Sequence, residues 1–517
     1  LDRTFTAISN KSISHKQGEN LIGPSSSSRI DARTSRIALV VTLLSLVAAT
    51  PAAAKPRSVL VDRSFGVQGT ISRAISRNPE GPLTAIEFAA TPDGGVLIAS
   101  GQTIVRYGKN GRLDRSFGNG GEVGIEGLPE TQFKLAGVAV DSRGRVVVAG
   151  TATDLSHLSP GPQYGFRLPV ESGEVLRYTP TGKPDLSFGE RGVFSSTFGL
   201  QPPTVTIGSP PTPFRYESPA VTLVGLGIDP NNRPLLTGVG AKEMSGCRDS
   251  AYGGQRVNES FAARLTAGGQ LDPSFGESGV RSVKAMREVR KPIFDPRGGG
   301  IVFTGGLADG CPAESAPAVV GHLSGRGGPD GAFGPEGWKG LESTEGGRDA
   351  FGGSAVAVDD HGRILLLRTD EDRLDAEVAR LLPNGAFDRH FGRRGIARVP
   401  RVAVAHITTI AADSRGGVLL TGWHPREHCS RCAQGHGVRL RKMFVLLRLR
   451  PNGKIDSHFS GPRGVVTSFP GFGPKTEAVG RQILLDSSRH ILVGGTIRSN
   501  RFSAGLGIGL IRYRAQR

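Results

Sequence analysis

The chain has 517 residues, with 75 Gly and 34 Pro but only 3 Met and 2 Trp, and a formal net charge of +18. Glycine in that number suits many tight turns rather than long helices, and the length exceeds one ordinary core but fits a ring of small units. The basic excess, mostly scattered Arg, favours anionic polymers or a membrane face; its denser runs at 281–291 and 389–401 lack the interleaved aromatics of a nucleic-acid groove, which argues against nucleic acid.

First in chain order comes an export signal. Residues 37–54 read IALVVTLLSLVAATPAAA, with an apolar core at 37–49 preceded by Arg29, Arg33 and Arg36. A basic flank, a short apolar run and the small-residue end at Ala52–Ala54 predict cleavage before Lys55. The run is shorter than the roughly 20 residues a membrane helix needs, so no stable span is expected after processing. The 36 residues ahead of the run are long for such a flank and place the expected start nearer the arginines. Removing residues 1–54 takes away six Lys/Arg and three Asp/Glu and leaves 55–517 at +15. The product is expected to be secreted or extracytoplasmic.

From residue 58 onwards one phrase recurs: an apolar position, Asp, two variable residues, Phe, then usually Gly. It stands at Asp62, Asp114, Asp185, Asp272, Asp330, Asp388 and Asp456. A second landmark alternates with it: Asp, two residues, usually Gly, then an apolar run. Its copies fall at 92–100, 141–150, 229–238, 295–305, 359–368, 413–422 and 486–495. Asp at the first position and Gly at the fourth suit a type I turn, so the flanking apolar runs form an antiparallel hairpin. Those runs are too continuously apolar for a half-exposed strand, and both faces are expected to be covered. A third strand follows, as in VARLLPNG at 378–385, then the Asp-x-x-Phe-Gly turn and a short fourth strand. Each unit is therefore a four-stranded meander.

The repeated slots have structural jobs. Asp114, Asp185 and Asp272 are placed to accept backbone N–H bonds. Phe117, Phe188 and Phe275 are apolar plugs between sheets, and Gly118, Gly189 and Gly276 let the backbone turn beside them. Seven carboxylates in one repeated position argue for structure over catalysis.

The ends of the array settle its closure. Residues 58–69 are the tail of a unit without its hairpin, and residues 491–513 supply a hairpin and third strand without a tail. Together they complete one unit, whereas an open solenoid would carry atypical polar caps. The expectation is an all-β fold, a seven-bladed β-propeller of four-stranded antiparallel blades closed by both termini. It would form a single domain over 55–517 behind the extension 1–54.

LDRSFGNGG at 113–121 and LDPSFGESG at 271–279 resemble the repeat of the bacterial delta-60 repeat family, whose tandem L-D-x-x-F-G-x-x-G units are thought to form propellers. The resemblance covers nearly all of 58–513. It departs at PDGAFGPEG, 329–337, and at IDSHFSGPRG, 455–464, where local turn geometry is expected to differ. It implies an architecture and almost nothing about chemistry.

Function is expected in the loops between second and third strands, which carry insertions at about 151–174, 240–259 and 423–442, with shorter ones near 306–317 and 496–506. Tyr164, Phe166 and Tyr252 lie there, either as contact residues or as plugs that hold the loops down. All four cysteines do too: Cys247 and Cys311 in matching loops of neighbouring units, Cys429 and Cys432 two residues apart. An even number in an exported chain favours disulfides. The cluster His424, His428, Cys429, Cys432 and His436 has zinc-ligand residue types but no second C-x-x-C, so a disulfide beside surface histidines is the better expectation.

No G-x-S-x-G, H-E-x-x-H, phosphate-loop or Rossmann motif is present. His322, His361 and His406 fall at unrelated repeat positions. Asp370, Glu371 and Asp372 form the best acidic exception, explained by a charged surface loop. No cofactor and no catalytic residue is assigned. The preferred reading is a monomeric binding or scaffold module at the cell envelope or outside the cell, recognising envelope polysaccharide, an anionic polymer or another protein by its insert-bearing face. The alternative is a propeller hydrolase or lactonase-like enzyme with a divalent metal in the central channel.

Overall fold

Each expected hairpin turn separates two paired strands in the computed structural model. The structure describes residues 61–514 apart from 75–84, 126–130, 161–166, 201–203, 208–211, 216–220, 243–256, 284–285, 290, 296–298, 308–317, 342–351, 371–374, 400–405, 429–438, 461–464, 467–475 and 499–505. The export signal, the four cysteines, His436, Tyr164, Phe166, Tyr252, Glu371 and Asp372 lie outside the described residues, as do the side chains of His428 and Asp370.

The chain is an all-β, seven-bladed propeller. Blade 1 is an antiparallel meander of Ile86–Ala90, Val96–Ser100, Thr103–Tyr107 and Glu122–Gly124. Blades 2, 3, 5 and 6 repeat this order, with innermost strands Thr131–Val140, Val221–Ile228, Gly352–Val358 and His406–Ala412. In blade 4 the innermost strand is broken into Met286–Val289 and Ile293–Phe294, either side of Pro292, whose missing N–H cannot join the ladder. Blade 7 takes three strands from one end of the chain, Glu477–Leu485, Ile491–Arg498 and Leu506–Tyr513, and its outermost strand, Thr70–Ala74, from the other. Thr70 pairs with Ile511 and Ala74 with Gly507, so the two ends share one sheet.

The core lies between blades, because a sheet apolar on both faces needs a neighbour on each side. Seven apolar clusters each join two consecutive blades, including blade 7 to blade 1 through Leu492, Ile508 and Leu510 against Ile98 and Val105. The repeated phenylalanines are the plugs expected: Phe65, Phe117, Phe188, Phe275, Phe333, Phe391 and Phe459 are at most 1 % exposed. A buried aromatic of this kind stabilises by about 3–5 kcal/mol relative to Ala.

Two expectations about turns need correction. In the first hairpin it is Thr91, not Asp93, that accepts the closing bond, from Gly94 N at 2.9 Å. In the fourth, Gly299 bonds back to Asp295, one residue further than elsewhere. The two departures from the repeat do differ locally: Gly331–Phe333 is a 3-10 turn capped by Asp330, and Ser457–Ser460 a single helical turn.

Insertions also take an unexpected form. Much of 151–174 and 423–442 is strand, not loop: Val146–Pro160 pairs with Arg167–Tyr178, and Val418–His428 with Arg439–Leu449 out to His428 opposite Arg439. A further ribbon, Thr204–Ile207 with Thr212–Arg215, occupies the link between blades 2 and 3, where no insertion was expected.

Candidate functional site

Antiparallel order fixes two ends of the ring. The first and third turns of each blade lie at one end, called here the turn end. The hairpins between second and third strands, and the links between blades, lie at the other, the insert end. The central channel joins them.

At the turn end the repeated Asp has a partner that sequence reading missed. An Arg eight residues earlier, on the third strand, sits over the plug ring and bonds the carboxylate. Arg177 Nε donates to Asp185 Oδ2 at 2.8 Å, Nη2 to Ser187 Oγ at 3.2 Å, and Nη1 to the Ala267 carbonyl of the next blade. Its guanidinium carbon stands 4.5 Å from the Phe188 ring centroid. Arg264 repeats this with Asp272, Ser274, Gly325 and Phe275. Arg380 with Asp388, Arg448 with Asp456, Arg106 with Asp114, and Arg512 with Asp62 continue the series. One guanidinium thus ties a turn, a ring and the next blade, a geometry its planar fork suits.

The other carboxylate oxygen takes turn N–H and hydroxyl bonds, as from Ser274 N at 3.0 Å and Ser274 Oγ at 2.7 Å to Asp272. Burial pushes Asp185 and Asp272 upward, but the bonds from Ser187 and Ser274 and the adjacent Arg hold both below the usual carboxylate range. For Asp62 burial is likewise opposed by Ser64 and Arg512, leaving it at about 2. These are ionised, saturated acceptors with no role left as general acids.

Blade 4 is the exception, and there His322 occupies the Arg slot, while His361 lies in a first hairpin turn and His406 on an innermost strand. Its Nδ1 lies 2.6 Å from Asp330 Oδ2, its Nε2 3.5 Å from Asp295 Oδ2, and its ring 5.2 Å from that of Phe333. The contact with the next blade passes to Lys339, whose Nζ donates to the Gly385 carbonyl at 2.9 Å. The sequence signal, Arg or His eight residues before six of the seven phrase Asp residues, was there to be read; only Asp62 takes its Arg, Arg512, from the other end of the array.

The channel encloses about 620 Å3. Its turn-end half is aliphatic, with Ala90, Val140, Ile228 and Leu484 partly exposed on it. Toward the insert end it gains Lys291, Thr409, Arg481 and Gln482. Gln482 bonds both backbone groups of Phe88, at 3.0 and 2.9 Å, and Lys291 Nζ reaches across from blade 4 to Glu87 Oε2 of blade 1 at 2.9 Å. A divalent metal needs several oxygen or nitrogen ligands at one point. Among the described residues the one carboxylate found there, Glu87, is engaged by Lys291, and no group of three or more His, Cys, Asp or Glu side chains is placed to hold a metal. The described residues of the channel do not assemble a metal-dependent hydrolase site.

At the insert end the described side chains form no repeated network. The Trp423 ring lies 5.9 Å from His406 and 4.6 Å below Lys442 Nζ, on the long hairpin of blade 6. His424, next in sequence, is half-buried.

No protein-family model matches the chain, and no curated protein matches it in sequence. Solved structures with a similar fold include a gluconolactonase from Xanthomonas campestris, 12 % identical with a TM-score of 0.30, covering 85 % of this chain and 94 % of its own. A Bacteroides caccae protein of unknown function is 12 % identical with a TM-score of 0.30, covering 72 % and 92 %. A puromycin-hydrolyzing peptidase from Mycobacterium tuberculosis is 12 % identical with a TM-score of 0.36, covering 83 % of this chain and 50 % of its own. At these values the likenesses carry neither activity nor ligand across.

Proposed function

We propose that this chain is an exported propeller of the delta-60 repeat type that serves as a binding or scaffold module at the cell envelope or outside the cell, acting as a monomer through its insert end. The observation that carries this reading is the contrast between the ends. The phrase residues of the turn end are occupied in holding blades together, while the insert end carries hairpins that differ from blade to blade on a rigid base. Blade 1 turns back directly after Ser100, whereas blades 2 and 6 extend their hairpins well beyond that level. Such side chains as Trp423, Lys442 and His406 suit contact with a glycan or a protein surface. Candidate partners are envelope polysaccharide, an anionic polymer or another protein.

The test is retention on envelope fractions. A variant with the hairpins at 151–174 and 423–442 cut back to short turns is expected to lose retention while keeping its thermal midpoint. Equal retention would show that recognition lies elsewhere.

A further inference from the structure

Exposed cations line much of the turn end, with Arg389, Arg393, Arg394, Arg415 and Lys454 in blades 5 and 6, but among the described residues large exposed aliphatics join them only in blades 7, 1 and 2. In the sector formed by blades 7, 1 and 2, Arg63, Lys109, Arg112, Arg115, Arg143 and Lys183 are all exposed at the turn end. Arg63 and Arg115 directly follow phrase Asp residues, Arg143 lies in a hairpin turn, and the others lie between third and fourth strands. The acids of this sector are largely engaged. Asp62, Asp114, Asp141 and Asp185 are held by the arginine network, and Asp93 pairs with Arg106 at 2.8 Å. Glu190 is the exposed exception.

A second, independent feature falls on the same plane. The large aliphatic side chains that project into solvent among the described residues are Val67, Leu113 and Leu186, at 77 %, 37 % and 71 % exposure. They belong to blades 7, 1 and 2, all within the turn between third and fourth strands. Single exposed aliphatics need no explanation. Three in consecutive blades, level with six cations, do. The chain also enters the ring at this end, through Val61, which bridges Tyr513.

We infer that the turn end of blades 7, 1 and 2 docks on an anionic phospholipid surface. Lys and Arg are drawn to anionic headgroups within a Debye length of the bilayer, and short aliphatic side chains enter the headgroup–acyl boundary below them. A soluble polyanion would satisfy the cations but offers no apolar layer for Val67, Leu113 and Leu186. Docking in this way points the insert end away from the membrane. The inference stands apart from the reading of the insert end: loss of vesicle binding would leave capture by the hairpins untouched, and the reverse holds.

Cosedimentation of the full chain with phosphatidylglycerol or phosphatidylcholine vesicles tests it. Residues 37–49 are common to every variant, so differences between variants report the face. Arg63→Gln/Arg112→Gln/Arg115→Gln is expected to weaken partition onto phosphatidylglycerol vesicles at least tenfold, and Val67→Ser/Leu186→Ser several-fold, each with an unchanged thermal midpoint. Wild-type partition is expected to fall steeply between 0.1 and 0.5 M salt and to be weak on phosphatidylcholine. Equal partition of the triple variant overturns the proposal. So does a Val67→Ser/Leu186→Ser protein that binds vesicles as wild type does, since the face would then be reading charge alone, as polyglutamate would supply it.

Discussion

At the turn end, successive blades meet one structural demand with nearly the same atoms; at the insert end, the described hairpins run to different lengths from blade to blade. The first arrangement is repeated because each blade faces the same problem, how to bond its outer turn to the neighbour while covering a buried ring. Gly66, Gly118, Gly189, Gly276 and Gly392 each donate their amide to a carbonyl of the next blade at 2.8 or 2.9 Å. Their positive φ, between 53° and 57°, aims that N–H. Where the repeat changes, in blade 4, Gly334 N turns back to Gly331 O and Lys339 bridges to the next blade instead. Conserved geometry therefore marks what the ring needs, and unrepeated chemistry marks what it does not need.

The largest expected effect comes from breaking one unit of the repeated end. Arg264 is 3 % exposed and Asp272 6 % exposed, so truncating the acid leaves a buried guanidinium without its own carboxylate, beside an Arg233 whose remaining partner is Asp229. Asp272→Ala should destabilise by about 3–5 kcal/mol, read as a lowered urea midpoint. A cost below about 1 kcal/mol would place this pair with exposed ion pairs of little consequence and remove the proposed distinction between the ends.

The ring was legible in the sequence because its logic is local and repeated. Asp-x-x-Phe-Gly marks turns through residue types with few other uses, and the complementary ends at 58–69 and 491–513 revealed closure. The arginine slot was missed because Arg is abundant throughout and its partner lies across a turn, so the pairing shows only when Arg106, Arg177, Arg264, Arg380, Arg448 and Arg512 are aligned on the phrase. The hairpin extensions were misread as loops because Pro160, Gly161 and Pro162 interrupt one and the C-S-R-C segment the other, hiding pairs such as Asp154 opposite Val170. The apolar sector at the turn end was invisible for a simpler reason. Leu113 and Leu186 read as strand and turn residues, and only their place in the ring sets them beside Val67.

A smaller effect tests the seam where the chain ends meet. Asp62 joins Arg512 at 2.7 Å, 450 residues away in sequence, with its side chain 5 % exposed. Its depression from the ordinary 3.8 to about 2 corresponds to about 2 kcal/mol of linked stability. Because the folded value is the lower one, that contribution is complete above pH 4–5 and is lost as pH falls toward 2. The stability difference between wild type and Asp62→Asn should therefore be about 2 kcal/mol at pH 6 and close progressively below pH 4. A difference that stays constant from pH 6 to pH 2 would mean that the carboxylate charge does not hold the seam.

The smallest effect is expected at the insert end. Beyond His424 the described strands of the blade 6 hairpin pair with each other, from Pro425 opposite Lys442 to His428 opposite Arg439. Those ladder bonds are made within one hairpin. Replacing 426–440 with a two-residue turn removes these pairs and shortens the connection, and the two changes oppose each other: the lost ladder costs little, and the shorter closure restores a few tenths of a kcal/mol. The urea midpoint should move by no more than about 0.5 kcal/mol, as for changes distant from any buried network. If the deletion instead cost as much as Asp272→Ala, the hairpin would be part of the framework, and the division of labour between the two ends would fail at its variable side.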